Sequence, residues 1–118
     1  MQLRVLKEET IQRFSKEGWI RVVPHLSARV SIEDYPYLSQ FHWYAVWAWK
    51  RPYAVRAEIR DGRKHVIRMH REIAHTQPGY VCHHVNGITL DNRRENLQNM
   101  RQYEHDCLHR FGTIPEKI

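Results

Sequence analysis

Five polar side chains in the last third of the chain have the types and spacing of a site that performs chemistry. His83 and His84 are adjacent, Asn96 follows His84 by twelve residues, and His105 and His109 lie four apart. Adjacent residues on a strand point to opposite faces, so the first two histidines cannot easily serve one metal ion together. Residues four apart on a helix share a face and can share a metal ion. The pattern predicts a three-nitrogen site with an open position, with a structural zinc site and core histidines as alternatives.

The basic residues are concentrated ahead of these histidines. The 118 residues contain 19 Lys and Arg against 13 Asp and Glu, a formal net charge of +6. Residues 41–82 carry eight basic and three acidic residues, whereas residues 83–110 carry four of each. This division indicates one region that holds a polyanion and another that acts on it, with a solvated basic face as the alternative.

The composition excludes several other classes of protein. Hydrophobic residues make up 42% and charged residues 27%, a globular balance. No apolar run approaches the ~18 residues of a membrane span, and the first residues contain no apolar signal core. The two cysteines, Cys82 and Cys107, form no disulfide framework. We therefore expect a soluble, cytoplasmic protein that makes no contact with a membrane.

The clearest structural pattern is a hairpin in the middle of the chain. Residues 53–60 alternate apolar and polar, Asp61-Gly62 supplies a two-residue turn, and residues 64–69 return as the partner strand. Residues 42–49 are predicted as a third strand. Four basic side chains are expected on one face of this sheet, where DNA contact and solvation are the alternatives: Arg56, Arg60, Lys64 and Arg68. The tryptophans are expected in the core or on the sheet surface rather than stacked on bases: Trp43, Trp47 and Trp49.

The flanking segments supply the remaining elements. Residues 6–17 are predicted as a first helix that ends at Gly18. Residues 80–85 and 97–100 are predicted as short strands, and residues 102–110 as a helix.

Residues 82–97, with the helix after them, resemble the HNH endonuclease motif, the strand–loop–strand–helix unit also called the ββα-metal finger. His84, Asn96 and His105 match the general base, the central Asn and the late ligand of the phage and homing-endonuclease branch of that family. Two stretches between them match as well: Asn86-Gly87 and residues 90–94. The resemblance covers roughly residues 28–110.

This resemblance implies an α+β protein in which a small antiparallel β-sheet is followed by an HNH ββα-metal unit. Residues 1–27 would form an N-terminal helix and strand of unclear role, residues 28–79 a DNA-binding sheet region, and residues 80–112 the nuclease motif. The implied activity is metal-dependent hydrolysis of DNA phosphodiester bonds, by nicking or double-strand cleavage. The implied setting is a bacterial cell, with a phage-encoded protein.

The resemblance also implies a role for each site residue. His84 would be the general base, Asn96 would brace the loop, and His83, His105 and, with less support from the family pattern, His109 would hold one divalent metal ion. Many phage relatives carry Asp and Asn at the positions of His83 and His105, where oxygen ligands suit Mg or Mn. Nitrogen ligands favour Zn, Ni or Co, so the metal stays open among these five. Three loop residues are expected to order the loop or to contact phosphate, with a purely structural role for each as the alternative: Asn92, Arg93 and Arg94.

Two other functions remain open on the sequence. One is a non-catalytic DNA-binding module whose histidines hold a structural metal ion. The other is a bacteriocin-like toxin nuclease. The sequence determines neither the target sequence nor the oligomeric state.

Overall fold

The computed structural model of the protein describes residues 17–112. The predicted helix over residues 6–17 lies outside them except for Glu17, which begins the first strand. The strands are β1 (Glu17–Val23), β2 (Leu26–Ser31), β3 (Trp43–Ala48), β4 (Arg51–Arg60), β5 (Arg63–Arg68), β6 (Tyr80–His84), β7 (Asp91–Asn92) and β8 (Leu97–Arg101). The helices are α1 (Tyr35–Leu38), α2 (Met69–Ala74) and α3 (Gln102–Phe111), with 3₁₀ turns at Ile32–Asp34 and Arg94–Asn96.

Six strands form one sheet in the order β5-β4-β3-β1-β2-β7, and β6 and β8 form a separate antiparallel pair. The mixed α+β class is confirmed. The sheet is larger than predicted and not purely antiparallel, because β1 runs parallel to β3 and β2 runs parallel to β7. Alternation along one segment indicates a strand, but it does not reveal which distant strand is the partner.

The core is formed by alternate residues of β1 and β2, packed with side chains from β3, β4, α1 and α2. Gly18 was predicted to end a helix, but it lies inside β1. A Cβ at this position would come 2.7 Å from the ring of Tyr35, so the glycine permits a close approach. In the part of the chain described, no helix is both long and apolar enough to cross a bilayer.

The β4–β5 hairpin has the predicted two-residue turn, but the prediction of a single basic face is wrong. Both residues of the Asp61-Gly62 turn have positive φ, as this tight connection requires. In the resulting register, every even-numbered residue of β4 lies opposite an odd-numbered residue of β5. Opposite residues share a face. Arg56 and Arg60 therefore lie on one face, and Lys64 and Arg68 lie on the other.

Arg56 is a buried ion-pair partner rather than an exposed basic residue. Its side chain is 7% exposed and donates to both carboxylate oxygens of Glu72, at 3.1 and 2.7 Å. The guanidinium also lies 4.0 Å from the centroid of the Phe41 ring. Burial disfavours ionisation of Glu72, but hydrogen bonds from Arg56 and Tyr37 outweigh it and lower the pKa of this carboxyl. The pair therefore joins β4 to α2.

We expect Glu72→Gln to lower the free energy of unfolding by about 3 kcal/mol, because it removes the nearer of the two carboxylates that pair with a buried guanidinium. The matched control is Glu95→Gln, which removes an exposed partner of Arg93 and should cost less than about 1 kcal/mol. Because the pKa of Glu72 is lowered by folding, its stabilisation is present above the ordinary carboxyl pKa and is lost as the pH falls through the folded-state value. Urea denaturation at neutral and acidic pH measures both effects, and equal losses in the two variants would contradict the assignment.

Candidate active site

Three histidines converge where β6 meets α3. His83 lies on β6, and His105 and His109 lie one turn apart on α3, which ends at Gly112 in the left-handed conformation. Their ligand nitrogens all lie within 4.8 Å of one another, and the Nε2 atoms of His105 and His109 are 3.0 Å apart. The structure therefore brings together the three residues that the sequence grouped, in an arrangement that could hold one metal ion.

The surroundings favour the neutral form of His83 and His105. Burial, and then the neighbouring His105 and His109, lower the pKa of His83. Burial and His109 likewise lower the pKa of His105. A nitrogen must be unprotonated to bind a metal ion. Neutral imidazoles with nitrogens close together are a donor set that fits one borderline divalent cation.

His84 lies apart from this cluster, as strand alternation predicts for the neighbour of His83. Its side chain is 6% exposed, and its Nε2 lies 2.7 Å from Oδ1 of Asn92. With the Asn92 amide in this orientation, its oxygen accepts from Nε2, so that Nε2 carries the ring proton and Nδ1 keeps a lone pair. Asn92 belongs to β7 and pairs with Val30 of β2, so the six-stranded sheet fixes the orienting amide.

Two rings lie beside His84, that of His70 on α2 and that of Tyr53 on β4. The ring centroid of His70 lies 4.9 Å from that of His84, and the centroid of Tyr53 lies 6.2 Å away. Burial lowers the pKa of His84, against a smaller opposing effect of the hydrogen bond with Asn92. Burial, followed by the proximity of His84, also lowers the pKa of His70 to about 3. Both imidazoles are therefore neutral near pH 7, the form in which His84 can accept a proton.

Asn96 ties together the two ends of the loop between β6 and β8. Its Oδ1 accepts from the backbone N–H of Asn86 at 2.9 Å. Its Nδ2 donates to Oδ1 of Asn86 at 2.9 Å and to the carbonyl of Asp91 at 2.8 Å. These bonds supply the contacts expected of a residue that braces the loop. The Asn96 backbone carbonyl accepts from Val85, next to His84, so the brace begins directly after the candidate base.

The cluster and His84 line one cleft of about 580 Å³. Three arginines line it as well, from β4, β5 and α2: Arg51, Arg68 and Arg71. Within residues 17–112, none of the three forms an ion pair with a carboxylate. Arg51 and Arg71 instead donate to backbone carbonyls, those of Gly87 and Tyr80. The cleft wall thus carries positive charge that no described carboxylate neutralises.

The arginines predicted to contact DNA are placed differently. Besides the buried Arg56, three of them donate to carboxylates: Arg60 to Glu58, Arg93 to Asp91, and Arg94 to Asp34. The loop-ordering contacts expected of Arg93 and Arg94 are therefore present. Of the six predicted basic residues, only Arg68 lines the cleft. Lys64 lies on the same face of the hairpin as Arg68 but nearer the Asp61-Gly62 turn, opposite Ile59.

Sequence reasoning missed Arg51, Arg71 and the orienting role of Asn92. A sequence signal existed for Arg51. It lies two residues before Tyr53 on the same strand, so both side chains are on one face, and both line the cleft. No local signal exists for Arg71 or for the contact between Asn92 and His84, since both depend on how distant elements pack.

No protein-family model matches this sequence, and no curated protein or solved structure matches it either. What the chain does must therefore be inferred from its own residues and their geometry.

Proposed function

We propose that this protein is a metal-dependent DNA endonuclease of the HNH type, in which β6, β8 and α3 form the ββα-metal unit. The observation that carries the proposal is that one cleft contains both a candidate metal site and a separate candidate general base. Three imidazoles form a metal-binding cluster, and a fourth, His84, is buried, neutral and oriented by an amide. Metal-assisted hydrolysis with a general base requires these two components.

The metal ion would be held by His83, His105 and His109, and zinc, nickel and cobalt suit three nitrogen donors better than magnesium or manganese. Bound there, it supplies positive charge that stabilises the phosphate and the departing 3′ oxygen. Among residues 17–112, no fourth His, Cys, Asp or Glu joins the cluster. Structural zinc sites have four protein ligands. This difference favours hydrolysis over a DNA-binding module with a structural metal ion.

His84 would act as the general base. The water oxygen forms a bond to phosphorus, its proton passes to Nδ1 of His84, and the bond from phosphorus to the 3′ oxygen breaks. Asn92 holds the proton on Nε2, which leaves Nδ1 free to accept. Asn96 keeps the loop after β6 in place.

The DNA backbone would be held by the cleft arginines rather than by the predicted sheet face. Arg51, Arg68 and Arg71 have no carboxylate partner among the residues described, so their charge is available to phosphate. Arg93 and Arg94 are already held by carboxylates. A guanidinium in a carboxylate pair must give up that partner to bind phosphate, which reduces its net contribution.

Replacing the three cleft arginines by Gln is expected to weaken DNA binding and to reduce the salt slope by about one unit per lost phosphate contact. The control is a triple Gln variant of equal charge change at exposed positions outside the cleft: Arg21, Arg60 and Arg63. Titration of a fluorescent duplex at several salt concentrations measures both slopes. Equal slopes for the two variants would mean that DNA is held elsewhere.

The direct test of the proposed function is cleavage of supercoiled plasmid by the EDTA-stripped protein after addition of Mg, Mn, Zn, Ni or Co. We expect nicked or linear DNA with at least one of these ions and none in EDTA. Metal binding without cleavage under all five ions would favour the DNA-binding module.

A further inference from the structure

The turn between β3 and β4 carries a residue that local backbone preferences disfavour. Trp49 and Lys50 are its central residues, with φ of 53° and 63°. Such turns favour Asn, Asp and Gly, because larger side chains are strained at positive φ. The indole of Trp49 is 94% exposed, so burial does not compensate for this conformation. The sequence expectation that Trp49 lies in the core or on the sheet surface is therefore wrong.

Hydrogen bonds join the end of this turn to the loop between β6 and β7. Arg51, directly after the turn, donates to the carbonyl of Gly87 at 3.0 Å. Thr89 donates through its hydroxyl to the carbonyl of Pro52 at 2.5 Å. Gly87 and Thr89 both belong to the loop between β6 and β7. The turn end of the hairpin is therefore held in place relative to His84, at the end of β6. Trp49 lines the same cleft as His83 and His84.

The basic residues that accompany Trp49 in the cleft are those expected of a site for single-stranded nucleic acid. Lys50 follows it in the turn, and Arg51 and Arg68 line the same cleft as Trp49. A basic groove with an aromatic side chain at its edge is the arrangement that binds single-stranded nucleic acid, in which unstacked bases stack on the ring while cations contact phosphates. In a fully paired duplex the bases are already stacked on one another.

We propose that Trp49 stacks on an unpaired nucleobase beside the phosphate held in the cleft. The preferred substrate is then DNA that is single-stranded or locally opened at the cleavage site. This inference rests on the proposed function, because it takes DNA as the ligand of the cleft. The strained turn serves to present the ring.

The test compares Trp49→Asn, which lacks the ring but suits positive φ, with Trp49→Phe, which keeps an aromatic ring. Trp47→Ala is the matched control, since Trp47 is also exposed, at 63%, but does not line the cleft. The probes are a fluorescein-labelled single strand and the same strand in a fully paired duplex, titrated in EDTA so that binding is measured without cleavage.

Trp49→Asn should weaken single-strand binding roughly 5- to 150-fold, the range for loss of one base–aromatic stack. Duplex binding should change less than twofold, and Trp49→Phe and Trp47→Ala should stay close to wild type on both probes. Trp49→Asn should also raise Tm by a few degrees, because Asn relieves the turn. Lost binding together with gained stability excludes misfolding as the cause.

Unchanged single-strand binding by Trp49→Asn would overturn the inference, and so would an equal loss on both probes. The outcome is separable from that of the plasmid assay. Absence of cleavage with every ion, together with a selective loss in EDTA, would refute the endonuclease and leave the stacking contact standing. Metal-dependent cleavage, together with unchanged single-strand binding by Trp49→Asn, would support the endonuclease and refute the stacking contact.

Discussion

His84→Ala is expected to lower DNA cleavage by about 10²–10⁴-fold, the contribution typical of a general base. The physical reason is that the variant lacks the lone pair on Nδ1, while the three imidazoles of the cluster remain. Metal affinity should change little, because His84 contacts Asn92, His70 and Tyr53 rather than the cluster. Plasmid cleavage at saturating metal, with metal binding measured by calorimetry, separates the two effects.

The control for this variant is His65→Ala, because His65 is an exposed histidine on β5 that does not line the cleft. It should cleave at the wild-type rate. Retained metal binding by His84→Ala also reports that β6 and α3 are still folded. Near-normal cleavage by the metal-loaded variant would remove His84 from the mechanism.

His83→Ala and His105→Ala are each expected to lower metal affinity by about a hundredfold or more and to abolish cleavage. Each leaves two nitrogens, which hold a divalent ion poorly. His109→Ala should weaken binding as well, since its Nε2 lies within the same cluster. Exposure of His109 to solvent allows water to take its place more readily, so its loss should be the smaller one.

Cys107→Ser is the matched control for these ligand variants, because Cys107 lies on α3 between the two helix histidines but does not belong to the cluster. Its metal affinity should equal that of wild type. Calorimetric titration with zinc and with cobalt measures all four variants. Unchanged affinity in both His83→Ala and His105→Ala would place the metal site elsewhere.

The grouping of His105 with His109 could be predicted from the sequence because it depends on short-range geometry, and the place of His83 beside them was expected from the family resemblance. Two helix positions four apart share a face whatever the rest of the fold does, and adjacent strand positions oppose one another. The turn at Asp61-Gly62 was predictable for the same reason, since few residues accept positive φ.

The charge partners were not predictable, because they depend on residues distant in sequence. The alternation of polar and apolar residues in β4 predicts an exposed side chain for Arg56, yet this residue forms a buried ion pair with Glu72 of α2. Arg94 similarly finds Asp34, sixty residues away. Charge counted along the chain therefore identified the basic region but not the arginines that remain available in it.

Because β7 pairs with β2, the candidate site cannot be excised as a fragment without losing part of its support. All three histidines of the cluster lie within residues 80–112, so an excised fragment would carry the full set of proposed metal donors. Asn92 keeps its place through Val30 of β2, which such a fragment would lack. Transplanting the cluster to another scaffold would thus transfer the proposed metal ligands without the strand that keeps Asn92 beside His84. For protein engineering, the smallest portable unit must include β2, the strand of the large sheet that pairs with β7.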